Sequence, residues 1–251
     1  PTIGKTSPRK RSERRVPLIY GQAVSYSPLL YRPRERWSEV RAALVGEVVQ
    51  PRAAEAETAE WLDVEARRLD DAFWLAGERL AAHDLDALVV LVADRDRAVD
   101  ETNTPQLHVF AGAAIWGDPA RPDLGEPATP AGFRCQPDLG SHLAEELTRD
   151  GFDVSETRGE FRPLGDPARG AGAPLVEPLL RLGVDVPIVP VHVNAHVEPC
   201  ISGRRMAPFG AALARALALV PARVGVLASG GLSGDPGGDM AGWIDDVLDR
   251  W

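Results

Sequence analysis

Cysteine is almost missing from this 251-residue chain, which has two in all. Cys135 and Cys200 are too few for a disulfide framework and too widely separated for a zinc site, so they read as two ordinary thiols suited to a reducing compartment. Lysine is equally scarce, with Lys5 and Lys10 the only two, and the basic charge is carried by arginine. Long apolar runs are absent as well. Stretches such as residues 87–93 fall far short of the ~18 residues that a membrane-spanning helix requires. Residues 1–4 form no apolar signal-peptide core. These absences lead us to expect a soluble, cytoplasmic protein with no membrane partner.

What is present resembles ordinary globular usage, with 44% hydrophobic and 26% charged residues, which excludes a disordered chain. The net charge of −9 is unevenly spread. Arg9, Lys10, Arg11, Arg14 and Arg15 crowd the start, while the rest of the chain is more acidic. An acidic body repels a phosphate backbone, so residues 1–15 are read as a solvated, disordered tail and no nucleic-acid partner is expected. Residues 16–251 are read as one α/β domain.

Apolar, β-compatible residues at 16–24 predict a strand that ends in Ser25, Tyr26, Ser27 and Pro28. Helical spacing of Val40, Ala43, Leu44 and Val48 predicts a helix over 38–49 with Ser38 as its N-cap. A longer amphipathic pattern over 54–83 predicts one long helix, or two joined near Asp63. Residues 85–93 (LDALVVLVA) form the strongest strand signal, as expected for a strand buried on both faces, and they run into Asp94, Arg95, Asp96 and Arg97. Residues 117–132 and 161–174, rich in Pro and Gly, read as loops. Between them, 137–151 reads as a helix stopped at Gly151. Strands are predicted over 186–193 and 223–228, a buried helix over 206–220, and a last helix over 239–250 capped by Asp239. Strands separated by helices imply a largely parallel central sheet flanked by helices. In such sheets ligands gather beyond the carboxyl ends of the strands.

The polar residues at those ends are the candidate pocket: Tyr26, Asp94, Arg95, His192, Asn194, His196 and Ser233. His192 and His196 suggest a metal pair. On one regular strand, however, four residues at ~3.3 Å each set them roughly 13 Å apart, so sharing an ion requires a sharp turn after Val193. His83 and His142 fall on predicted helices without acidic or thiol neighbours, whereas His108 follows the Asp94 segment. Ser233 sits in a strand-to-helix turn, but G-x-S-x-G placed on it requires glycine where Asp235 stands. A Ser233, His196, Asp94 triad can be drawn, yet many chains allow such drawings. The glycines at 230, 231, 234, 237 and 238 lack a Walker lysine and read as backbone turns. Asp94 and Asp96 can serve as acid and base or bind a hard cation, and the interleaved Arg95 and Arg97 can equally neutralise them.

Five segments in order, Ser25-Tyr26-Ser27-Pro28-Leu29-Leu30, residues 89–96 with Asn103-Thr104-Pro105, residues 186–194, Phe209-Gly210-Ala211-Ala212-Leu213, and Ala228-Ser229-Gly230-Gly231-Leu232-Ser233, together resemble the class III extradiol ring-cleavage dioxygenases. That superfamily includes the catalytic subunit of protocatechuate 4,5-dioxygenase. The resemblance implies the fold above and, in the family, an iron(II) held by two histidines and a glutamate, with a further histidine as acid/base. It places the first iron-binding histidine where this chain has Tyr26, the second where Arg95 stands, and the acid/base histidine at Gly234. The glutamate falls beyond Trp251.

The resemblance therefore implies a retained fold with a dismantled iron site, no metal or other cofactor, and no confident catalytic residue. An arginine is hostile to a metal ion because its cation is permanent. The expected role is a non-catalytic, structural or regulatory subunit in a homo- or hetero-oligomer with a related iron-bearing subunit. Two alternatives stand beside it. One is an enzyme on the same fold acting on an aromatic or carboxylate ligand without iron, with Arg95 clamping the anion and Tyr26 or His196 moving a proton. The other is an active dioxygenase whose glutamate lies beyond residue 251.

Overall fold

The computed structural model describes residues 18–45, 48, 57–93, 99, 103–159, 170–234, 240, 242–245, 247 and 249. The basic segment 1–15 lies outside the described residues, as do Asp94, Arg95, Asp96 and Arg97.

Four strands carry the fold: β1 (Leu18–Ser25), β2 (Ala87–Val92), β7 (Ile188–Val193) and β8 (Val224–Gly230). They pair in parallel, β1 with β8, β8 with β2, and β2 with β7. All four carboxyl ends therefore meet at one edge, as the sequence reading requires. β2 and β7 are buried along almost their whole length, which is why they read as continuous Val/Leu/Ile runs instead of alternating ones.

Beyond β7 the sheet continues with two short strands that the sequence reading missed, β3 (Leu107–Phe110) and β6 (Val154–Thr157). The described order is β1-β8-β2-β7-β3-β6. β3 runs antiparallel to β7 and parallel to β6, so the sheet is largely and not wholly parallel. Four residues each give too short a period for alternation to show. Part of the expected loop over 117–132 is framed by a hairpin, β4 (Ala114–Gly117) with β5 (Ala131–Arg134).

Helices cover both faces. On one, α3 (Pro137–Arg149) and α5 (Gly203–Leu217) bury Leu143, Leu147, Phe209 and Leu217 against Val89, Val109 and Val191. On the other, α2 (Ala59–Ala81) and α4 (Ala173–Arg181) bury Phe73, Leu80, Leu175 and Leu179 against Leu88, Val90 and Leu227. α2 is a single helix with no break at Asp63, and its start is fixed by Thr58, whose side chain accepts from the Trp61 N–H at 3.2 Å. α3 stops at Gly151, which takes φ +85°.

Several boundaries differ from the sequence reading, among them the buried helix expected over 206–220, which is α5 at Gly203–Leu217. α1 (Trp37–Leu44) begins before Ser38, because a 3-10 turn over Arg34–Arg36 leads directly into it. α4 replaces the end of the loop read over 161–174. In the expected last helix over 239–250, the described residues Met240, Gly242, Val247 and Asp249 are in turns and Trp243, Ile244 and Asp245 have no regular structure.

Candidate functional site

Tyr26 follows the last residue of β1, and its N–H donates to the Gly230 carbonyl at 3.1 Å, which ties the ends of β1 and β8 together. The chain then turns through Pro28–Tyr31. After β7, Asn194 makes the sharp turn that a shared role for the two histidines would need. Its Oδ1 accepts from the N–H groups of His196 (3.4 Å) and Val197 (3.0 Å), and its Nδ2 donates to the Val197 carbonyl at 2.7 Å. Asn194 is only 1% exposed. With both ends of its amide engaged on backbone it is a turn former, not a ligand-facing group.

That turn delivers His196 to Tyr26. The Tyr26 hydroxyl lies 3.4 Å from His196 Nε2, with the rings edge-on at 6.5 Å between centroids. Both are partly exposed at the strand ends. Of the seven candidate residues, these two are the pair whose side chains the described structure brings into contact.

His192 goes elsewhere. It points into the core, 3% exposed, and faces His108 across the antiparallel β7–β3 pairing at 5.6 Å between ring centroids. Its Nδ1 has no partner among the described residues. Burial, and secondarily the charge His108 would carry, pushes His192 down to about 3. Burial lowers His108 to about 4. His108 Nδ1 lies 2.9 Å from Ser155 Oγ, and its Nε2 lies 3.2 Å from Thr157 Oγ1. These are neutral core histidines at physiological pH, and His192 and His196 do not form a metal pair.

Ser233 is likewise occupied by structure. Its Oγ donates to Asp249 Oδ2 at 2.7 Å and accepts from the Asp245 N–H at 2.8 Å, while its own N–H donates to Asp249 Oδ1 at 2.9 Å. The serine anchors the segment that follows it, and the drawn triad with His196 gains no support. Its third member, Asp94, lies with Arg95 outside the described residues. The His83 ring lies tilted against Tyr20 at 4.7 Å between centroids, and His142 Nε2 lies 3.0 Å from the Ala216 carbonyl.

Sequence reading overlooked a buried ionic network beside this edge. Arg32, 8% exposed, sits between Glu126 (2.9 Å) and Glu177, and Arg36 reaches Glu126 at 2.8 Å. Glu177 Oε2 has no partner among the described residues, and burial, against the pull of Arg32, raises its carboxyl to about 7. The network borders a pocket of about 470 Å³ that Tyr31 and Arg181 also line. Tyr31, next to Arg32 in the chain, donates to the Ser25 carbonyl at 2.5 Å and so braces the end of β1. The available signal was Glu177 itself, a lone acid in the apolar stretch APLVEPLLR.

No three His, Cys, Asp or Glu among the described residues are placed to hold a metal ion. A phenol against one imidazole does not fit the two-histidine, one-carboxylate set that suits iron(II). What the pair can do is exchange a proton or hold a ligand by hydrogen bonds.

Residues 74–251 match the family model described as the catalytic LigB subunit of aromatic ring-opening dioxygenase. A curated relative, the 2,3-dihydroxyphenylpropionate/2,3-dihydroxicinnamic acid 1,2-dioxygenase of Paraburkholderia xenovorans (strain LB400), is 31% identical over 177 residues. The match covers 70% of this chain and 52% of the relative, so the chain spans about half of that protein's length. A helix-covered, largely parallel sheet, the strand-end segments and a family match over most of the chain agree: this chain belongs to the LigB family of extradiol ring-cleavage dioxygenases.

Proposed function

We propose that the chain is a non-catalytic subunit on the extradiol dioxygenase fold, structural or regulatory in role, that pairs with an iron-bearing relative. The carrying observation is Tyr26, which stands at the end of β1 with its hydroxyl 3.4 Å from His196. The resemblance puts an iron-binding histidine at that position, and it puts the acid/base histidine at Gly234, which has no side chain to offer. Arg95, assigned from sequence to the second histidine position, adds a fixed positive charge. Iron is therefore left to the relative, and no catalytic step is assigned to this chain.

The test combines metal binding with co-purification. Titrating the anaerobic chain with ferrous iron should give no saturable one-to-one binding, and co-expression with a histidine-complete relative should yield a stable complex. Stoichiometric iron lost on replacing His196, or ring cleavage by the chain alone, would overturn the proposal.

The Tyr26–His196 contact favours one other reading, an iron-independent enzyme acting on an aromatic or carboxylate ligand. Turnover by the chain alone, lost in Tyr26→Phe without any iron requirement, would establish it.

A further inference from the structure

A chain of alternating charges runs from solvent into the wall of the pocket beside α4. Exposed Glu39 pairs with Arg36 at 2.8 Å, Arg36 with Glu126 at 2.8 Å, Glu126 with Arg32 at 2.9 Å, and Arg32 with Glu177. Three carboxylates share two guanidiniums, so an acid stands at each end. At the Glu39 end water solvates the excess charge. At the Glu177 end it does not, because that side chain is 5% exposed and its Oε2 has no partner among the described residues.

Arg32 has nothing left to give. Its five N–H groups are engaged by both oxygens of Glu126 (3.0 and 2.9 Å), by Glu177 Oε1, and by the carbonyls of Pro28 (3.3 Å) and Pro119 (3.4 Å). A buried carboxylate with only a share of one cation is costly, and a second cation beside it in so shielded a setting is held strongly. The end of the chain that lacks a cation is the end that lines the pocket.

The rest of the pocket says what kind of cation fits. Pro33, Pro119, Pro127 and Leu180 make much of the wall apolar, which suits a hydrocarbon group and offers nothing to a hydrated ion. Arg181, one turn beyond Glu177 on α4, lines the same pocket. Its guanidinium is held by Asp70 through Nη2 and lies 4.9 Å over the Phe73 ring, which leaves Nε and Nη1 without a partner among the described residues. Side chains four apart on a helix start ~5–6 Å from each other. That spacing suits a ligand with an ammonium and a carboxylate on one carbon.

We propose that this pocket binds an α-amino acid with an apolar side chain, its ammonium beside Glu177, its carboxylate on Arg181 and its side chain against the prolines and Leu180. The ammonium becomes the sixth member of the alternating chain. Neither Tyr26 nor His196 lines the pocket, so the site goes beyond the subunit role proposed above and does not depend on it.

Calorimetric titration of the full chain with L-leucine, L-phenylalanine and two leucine analogues tests this. Isoamylamine lacks the carboxylate and isocaproate lacks the ammonium. Leucine should bind one to one with a dissociation constant in the micromolar to millimolar range, and each analogue about tenfold more weakly or worse. Glu177→Gln keeps an oxygen for Arg32 but removes the charge, so leucine should lose its advantage over isocaproate. Arg181→Met changes a side chain at the protein surface, and there leucine should lose its advantage over isoamylamine while keeping the one over isocaproate. Absence of saturable binding by either amino acid up to about 10 mM overturns the proposal. So does isocaproate binding as tightly as leucine to the wild type, or leucine binding undiminished to Glu177→Gln or Arg181→Met, each variant folded by circular dichroism.

Discussion

Replacing His192 by leucine should flatten the acid sensitivity of this protein. His192 and His108 are held neutral in the folded state, at about 3 and about 4, by burial. In the unfolded chain they return to about 6.5. A histidine whose folded value is depressed contributes nothing to pH dependence above the unfolded value. As pH falls below about 6.5 the unfolded state binds protons that the folded state refuses, and stability is lost until the folded value is reached. Between pH 7 and pH 5 each of the two should cost about 2 kcal/mol. Glu177 works in the opposite direction. Its carboxyl, raised to about 7, takes up a proton in the folded state before the unfolded one does, so acidification over the same interval returns about 2 kcal/mol.

The wild type should therefore lose about 2 kcal/mol net from these three groups, and His192→Leu should lose close to nothing. Urea unfolding at the two pH values reads the difference directly. With a slope of about 2 kcal/mol per M, the wild-type midpoint should fall by about 1 M and the variant's should stay in place. The leucine's own packing effect appears equally at both pH values and cancels in the comparison. A variant whose midpoint falls as far as the wild type's would refute the assignment of His192 as a buried neutral group.

Gly77→Ala should destabilise the protein by about 1–3 kcal/mol in thermal or urea unfolding, although alanine is the better helix former by ~1 kcal/mol. A Cβ at Gly77 in α2 would lie 2.8 Å from the Leu182 carbonyl oxygen, against backbone that cannot step aside. Arg32→Met should cost about 3–5 kcal/mol, since it strands Glu126 and Glu177 without their shared partner. The loss should be smaller at pH 6 than at pH 8, because Glu177 can escape by taking up a proton.

Legibility in the sequence followed burial. β2 and β7 were plain because both faces are covered, and residues such as Val89, Val90, Val189 and Val191 are fully buried. β3 and β6 were invisible because four residues carry little periodic signal, and their pairing partners lie far along the chain. α4 was missed because the loop reading ran to Pro174, and Pro178 inside the helix is itself a helix breaker. Pro178 has no N–H for the carbonyl of Pro174, one turn back, and that carbonyl accepts instead from Ser229 Oγ at 2.6 Å. The proline that obscured the helix thus frees the acceptor that docks it to the end of β8. The Arg32 network was equally hidden, because nothing local in sequence relates position 32 to positions 126 and 177.

The candidate site was legible as a place more than as a set of groups. His192, Asn194 and Ser233 each had a plausible chemical reading, and each is committed to structure: one to the core, one to a turn, one to the Asp249 anchor. Tyr26 and His196 differ, since both are partly exposed beyond the strand ends, with the tyrosine hydroxyl facing the imidazole. A residue outside the core can change without disturbing the packing that defines the fold. The parallel strands would still converge on one edge with a histidine, a tyrosine or a glycine at their tips. A chain can therefore keep this family's architecture whichever side chains stand at its strand ends, and at Tyr26 and His196 the packing of the fold imposes least.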